Sequence, residues 1–342
     1  RDMEATRRAQ IISENAQWFE DRSPVDPRFR KPEVKGVTAN VICAAMLGGD
    51  EYPSTAIGIN LPNADWLRAA YGSKSVTISN LTDAYSRAAR GNGFRQEFVI
   101  DATTIGLIDK YGDVCDDLHT DLHECLGHGS GQLLPGVDAD ALKNYGNTIE
   151  EARADLFGLY YIADEKLVEL GLTPNNEAYK SQYYSYMMNG LMTQLARIVP
   201  ERQIEEAHMR NRALIAHWCM DNGEAVRLVK RDGKTFVEIT DYAALRRQIA
   251  TLLAEIQRIK SEGDFEAARN LVETYAVKVD ETLHAEVLER YNRLQLAPYK
   301  GFLNPVMRPV KDENGQITDI VPDYTEGYAD QMLRYSRDYG AL

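Results

Sequence analysis

"HECLGH" stands at residues 123–128. In the metal-binding pattern H-E-x-x-H, two histidines four residues apart share one face of a helix and grip one ion. Here the interval is five. At about 100° per residue, four steps return to within about 40° of the start, and five miss by about 140°. Either the imidazoles diverge, or the helix takes up the extra residue as a π-bulge, a feature found often at functional sites. Gly127 lies inside the interval, where it loosens a regular helix. A bulge near Leu126-Gly127 would turn His128 back onto the face of His123. Val114, Leu118, Leu122 and Leu126 recur every four residues, which puts the motif on a partly buried helix.

A catalytic zinc takes three protein ligands and leaves one position open. The third is sought in "TIEEARAD", residues 148–155, where Ile149, Ala152, Leu156, Leu159 and Ala163 mark a second helix. Glu151 is the carboxylate expected to reach the ion. Glu124, beside His123, is expected to take a proton from the attacking water and pass it to the leaving amine. Other readings stand beside these. Thr148 to Glu151 also spells a capping box, in which Glu151 would satisfy only a backbone N–H. His119 and His123 are four apart and could chelate without a bulge, or His119 could be a solvated residue among Asp116, Asp117 and Asp121. Cys125, inside the motif, reads either as a reactive thiol or as a small buried hydrophobe.

The 342 residues suffice for one large domain or two smaller ones. A net charge of -13 argues against nucleic acid or an anionic membrane as partner. No apolar run is long enough to span a bilayer; Val37–Leu47 is the longest candidate. The four cysteines are scattered, so reduced thiols and a cytoplasmic location are favoured. The chain opens without Met, on what reads as the middle of an amphipathic helix over residues 1–22. It is therefore expected to be part of a longer protein, whose N-terminal remainder would be its partner.

"SPVDPRFRKPEVKG" (23–36) is a Pro-rich, charged connector, and Val37–Leu47 reads as a second helix. Residues 51–80 read as strand and loop, with a short helix around Ala64–Tyr71. Helical periodicity then holds from Leu81 to Tyr291, broken by "VRLVKRDGKTFVEIT" (226–240), a hairpin turning at Asp232-Gly233. The helical period is lost after Leu296, and a last helix is expected over Gly327–Tyr339.

"HECLGH" and "EEARAD" together resemble the signatures H-E-x-x-G-H and E-E-x-R-[AG]-[DE] of the dipeptidyl peptidase III family of zinc exopeptidases. "GINLPNADWLR" (58–68), "EEAHMRNR" (205–212) and "SEGDFEAARNLVETYA" (261–276) are similar to further family stretches. The resemblance runs from about Val37 to the C-terminus. It implies one Zn2+ per chain on His123, His128 and Glu151, with Glu124 as acid/base. Glu150 and Asp155 would hydrogen-bond the ligand histidines. Asp155 stands where many members carry Glu, so its reach is shorter. Asn60 and Asn63 would hold the N-terminal end of an oligopeptide substrate. His208 would stabilise the oxyanion, with Arg212 supporting it. Lys300 falls near a family arginine that contacts the far end of the substrate.

The implied fold class is α+β, two lobes around a cleft. Residues 1–48 and 93–299 would form a mainly helical zinc-binding lobe. Residues 49–92 and 300–342 would contribute to a second, β-containing lobe. The implied activity is release of N-terminal dipeptides from short oligopeptides. A zinc endopeptidase of another type, or a non-enzymatic helical peptide-binding protein, are the alternatives. Cobalt or manganese would suit the same donors.

Overall fold

The computed structural model describes residues 2–34, 38–43, 58–61, 67, 71–72, 74–296 and 305–340. Two N-terminal helices, α1 (Met3–Glu14) and α2 (Ala16–Arg22), are separated at Asn15, so the single helix expected over 1–22 is broken there. A three-stranded sheet follows, ordered β1-β3-β2. Strand β1 (Thr38–Ile42) runs parallel to β3 (Lys74–Ile78), and β2 (Gly58–Leu61) lies antiparallel to β3.

The helix expected over Val37–Leu47 is thus overturned where it is described: Thr38–Ile42 is extended. Thr38, Val41 and Ile42 are β-branched, and such residues fit a pleated surface better than a helix. The outer edge of β1 is also satisfied from α1. Thr6 Oγ1 accepts from Val41 N at 3.1 Å and donates to Val41 O at 3.2 Å. The helix expected around Ala64–Tyr71 lies mostly outside the described residues, of which Leu67 and Tyr71 are helical.

The rest of the body is helical: α3 (Ser79–Ala89), α4 (Phe94–Phe98), α5 (Ala102–Leu122), α6 (Gly146–Ile162), α7 (Glu165–Glu169), α8 (Tyr179–Leu191) and α9 (Ala207–Asp221). Beyond the hairpin come α10 (Tyr242–Glu262), α11 (Phe265–Tyr275) and α12 (Glu281–Arg293). Aspartates start several of them. Asp101, Asp241, Asp264 and Asp280 each accept a hydrogen bond from a backbone N–H three residues on, satisfying a group the helix leaves free. Hairpin β4 (Val226–Arg231) and β5 (Lys234–Ile239) turns at Asp232 and Gly233, both with positive φ, as a tight two-residue reversal requires.

One helix organises this body. In α6, residues on every side are buried, from Ile149 and Ala152 to Arg153, Asp155 and Leu159. A helix buried all round lies at the centre of its domain. The core around it joins α2, α5, α8, α9 and α10 in one apolar cluster. The C-terminal part is different in kind. Hairpin β6 (Val306–Lys311) and β7 (Ile317–Asp323) is exposed nearly throughout, and α13 (Tyr328–Tyr339) follows it. Met307, Ile317, Ile320 and Val321 are exposed apolar residues on it. The architecture is α+β, mainly helical with small sheets. No helix among the described residues is long and apolar enough to cross a membrane.

Candidate metal centre

The extra residue of the 123–128 interval is absorbed as a π-helical turn over His123–Gly127, continuing α5 without a break. The His128 N–H donates to His123 O at 3.1 Å, the five-residue span of such a turn. The two imidazole rings then stand 4.7 Å apart, nearly perpendicular. Gly127 makes this possible. A Cβ there would lie 2.6 Å from Ala154 Cα and 2.8 Å from Ala154 O, so only glycine lets α6 come this close.

That approach delivers Glu151. Its Oε2 lies 3.3 Å from His123 Nε2 and 3.9 Å from His128 Nε2, and the three donor atoms all fall within 4.8 Å of one another. Two donors about 2.0–2.1 Å from one tetrahedral ion sit roughly 3.3 Å apart, so the trio needs little adjustment to hold one. Glu151 Oε2 is buried and has no hydrogen-bond partner. A buried oxygen left so is unfavourable unless something fills its place. Both imidazoles are also oriented for coordination. His123 Nδ1 donates to Asp155 Oδ1 at 2.7 Å, and His128 Nδ1 to Glu150 Oε1 at 2.8 Å. With the proton on Nδ1, each Nε2 offers a lone pair toward Glu151. The residues therefore fit a divalent ion.

Electrostatics keep the carboxylates ionised. Burial alone would raise the pKa of Asp155, but the His123 hydrogen bond and the charges of His123, His119 and Arg212 hold it far below the usual range. Glu150 is likewise lowered against its burial, by Arg153, Lys260 and His128. Arg153 Nη2 donates to Glu150 Oε1 at 2.7 Å, and Lys260 Nζ to Oε2 at 2.5 Å. Burial works against a charged His123, yet the Asp155 hydrogen bond and the nearby Glu151 and Glu124 carboxylates raise its pKa well above the ordinary value. A metal entering here must displace a firmly held proton.

Above the three donors lies a cavity of about 580 Å³. Glu124, His208, Gly58, Lys260 and the loop residues Asp138 and Asp140 line it. Glu124 faces β2, where a Cβ on Gly58 would stand 3.2 Å from Glu124 Oε1. His208 is set at the start of α9, where the Glu206 side chain accepts from the N–H groups of His208 and Met209. Its Nδ1 is 3.4 Å from Glu151 Oε2, and its side chain is half exposed to the cavity.

Several expectations change. The solvated reading of His119 is wrong, because the ring is buried, with Nε2 3.3 Å from Asp155 O and Nδ1 3.1 Å from Gln182 Nε2. Nor does His119 belong to the donor group, which holds His123, His128 and Glu151. The capping-box reading also fails. A 3-10 turn, Lys143–Tyr145, leads into α6 at Gly146, so Thr148 and Glu151 lie inside the helix. The Cys125 thiol is buried and its pKa pushed up by that burial, opposite to what a reactive thiol needs. Arg212 does not line the cavity; its charge acts on Asp155 and Tyr186 instead. Asn60 lies in β2 opposite Ser75. Asn63 and Lys300 fall outside the described residues.

Sequence reasoning gave no role to Arg153, although it stands in the quoted "EEARAD". It is almost fully buried and ties Glu150 to Ser130 O and Oγ. Tyr186 and Asn211 were also missed, and no local pattern marks them.

A helical scaffold presenting two carboxylate-backed imidazoles and a free carboxylate oxygen beneath an open cavity has the makings of a mononuclear metallohydrolase centre. The model of peptidase family M49 matches residues 2–142 and 138–292, and the chain belongs to that family. It is 26% identical over 283 residues to Nudix hydrolase 3 of Arabidopsis thaliana, covering 80% of this chain and 34% of that protein. It is 25% identical over 300 residues to dipeptidyl peptidase 3 of Rattus norvegicus, covering 75% of this chain and 40% of that protein. The chain thus spans less than half the length of these curated relatives. Its fold is like that of DPP III from Caldithrix abyssi, with a TM-score of 0.70 at 24% identity over 88% of this chain and 54% of that one.

Proposed function

We propose that the chain carries the metal centre of a zinc-dependent dipeptidyl peptidase acting on short oligopeptides. The observation that carries this reading is the convergence of His123 Nε2, His128 Nε2 and the unpartnered Glu151 Oε2 below a cavity that also holds Glu124 and His208. The ion would be held by those three side chains and would supply a Lewis acid that polarises a peptide carbonyl and acidifies water. Glu150 and Asp155 keep the proton on Nδ1 of each ligand histidine. Glu124 accepts the proton of the attacking water and returns it to the departing amine. His208 donates toward the oxygen that gains charge. Asn60 and Asn63 grip the substrate's N-terminal end. In this reading residues 1–48 and 93–299 form the zinc lobe, and 49–92 with 300–342 belong to a second lobe across the cleft.

Elemental analysis together with turnover of a dipeptidyl-naphthylamide tests the reading. One zinc per chain is expected, retained in Glu124→Ala while turnover falls about 10²–10⁴-fold. A protein without bound divalent metal, or a Glu124→Ala variant with near-normal turnover, overturns it. Unimpaired cleavage of N-acetylated peptides would remove the exopeptidase part and leave an endopeptidase.

A further inference from the structure

Asp155 is where three helices meet. Its Oδ1 takes the His123 hydrogen bond. Its Oδ2 accepts from Tyr186 Oη at 2.7 Å, on α8, and from Asn211 Nδ2 at 2.9 Å, on α9. All three residues are buried. Neither Tyr186 nor Asn211 lines the cavity or belongs to the donor group. A carboxylate tied at one oxygen can still swing about its Cβ–Cγ bond, and two donors on the other oxygen remove that freedom. An imidazole that donates to a fixed oxygen presents its second nitrogen in a fixed direction.

Asn211 carries a second indication. Its Oδ1 is buried without a partner. Packing alone gives no reason for an amide here, since a leucine of similar size would leave nothing unpaired. The Nδ2 bond to Asp155 is its one side-chain hydrogen bond among the described residues. Asn211 also lies three residues after His208, on the same face of α9. Its bond to Asp155 therefore anchors the turn that sets His208 against Glu151.

We propose that Tyr186 and Asn211 are positioning residues of the metal centre: both aim His123 at the ion through Asp155, and Asn211 also fixes the helix turn that carries His208. This rests on the zinc-site reading above. The test uses Tyr186→Phe and Asn211→Leu in the whole chain. Zinc affinity is measured by chelator competition, ligand geometry by the visible spectrum of the cobalt-substituted protein, and fold stability by urea unfolding without metal. Each variant is expected to bind zinc about tenfold more weakly, with an altered cobalt spectrum. The metal-free urea midpoint of Asn211→Leu should match the parent, since the lost bond and the removed orphan acceptor offset one another. At saturating zinc, kcat should fall several-fold further in Asn211→Leu than in Tyr186→Phe, with KM little changed. Zinc affinities within twofold of the parent in both variants overturn the proposal and leave the zinc reading standing. Affinity lost only in step with metal-free stability overturns it as well, as does an equal kcat for the two variants in its His208 part. A parent that binds no zinc overturns both readings.

Discussion

Lys31 takes its ammonium off the surface to donate to Gly129 O at 2.5 Å, one residue beyond His128. Burial, then the Arg153 charge, lower its pKa from 10.5 to about 8, with Glu20 opposing, Lys260 adding and Glu150 opposing. The unfolded chain keeps this proton up to its higher pKa. Between pH 8 and 10.5 the unfolded state therefore binds more protons, and stability rises with pH across that window. The cost of the buried charge is fully present below the window and is relieved above it. Over the whole span the group is worth about 3 kcal/mol. Urea unfolding of the metal-free protein at either end of the window should show that rise in the parent and not in Lys31→Met; parallel profiles would mean the ammonium is not buried. Arg153 makes the opposite case, a buried cation with its partners in place. Arg153→Met leaves Ser130 O and part of Glu150 unpaired, and a loss of about 3–5 kcal/mol is expected on urea unfolding. These two residues show what a sequence hides at this scale. The Glu-His and Glu-Glu pairs are local spellings and could be read. Lys31 sits in a Pro-rich stretch that reads as a surface connector, and Tyr186 and Asn211 reach Asp155 across 31 and 56 residues of chain. Only tertiary packing assigns them anything to do.

Elements were legible where their own period carried the signal. The five-residue interval contradicts a 3.6-residue helix, which leaves either diverging imidazoles or a π-bulge, and the π turn over His123–Gly127 is the second of these. The Asp232-Gly233 reversal was likewise written locally. Thr38–Ile42 was misread because an apolar run takes its conformation from its partner, here a strand more than thirty residues on. The start of α6 was misread because a 3-10 turn feeds the helix before the apparent cap. Gly127 gives a prediction at this scale, where two effects of opposite sign compete. In an ordinary helix, Ala in place of Gly gains about 1 kcal/mol. Here the added Cβ meets Ala154 backbone at 2.6 Å, and backbone does not yield as a flexible side chain does. Overpacking of this kind costs about 1–3 kcal/mol or more. The contact should win, so Gly127→Ala is expected to unfold at lower urea without metal. It should also lose zinc affinity, because separating the π turn from α6 moves His128 off Glu151. A variant more stable than the parent would mean the two elements do not meet as described.

At the scale of the whole molecule, the donors bridge the pieces on which the core is built. His123 and His128 extend α5, and Glu151 belongs to α6, the helix around which the apolar cluster is arranged. Hairpin β6–β7 has no share in this; it is exposed on nearly every residue, and a two-stranded hairpin is marginal by itself. An ion that binds only the folded state stabilises it by mass action, by about 2.7 kcal/mol when free metal is a hundredfold above Kd and about 4.1 at a thousandfold. Chelation should therefore lower the unfolding free energy of the helical body by that amount, and its urea midpoint in proportion. The effect should also have a place. Hydrogen exchange in α5, the π turn and α6 depends on opening the core, so removing the ion should speed it, whereas exchange in β6–β7 should stay as it was. Hydrogen-exchange mass spectrometry with and without chelator reads both at once. Equal acceleration everywhere would mean the metal acts on the whole chain rather than through the helices that hold it, and no change in either midpoint or exchange would remove the ion from the fold altogether.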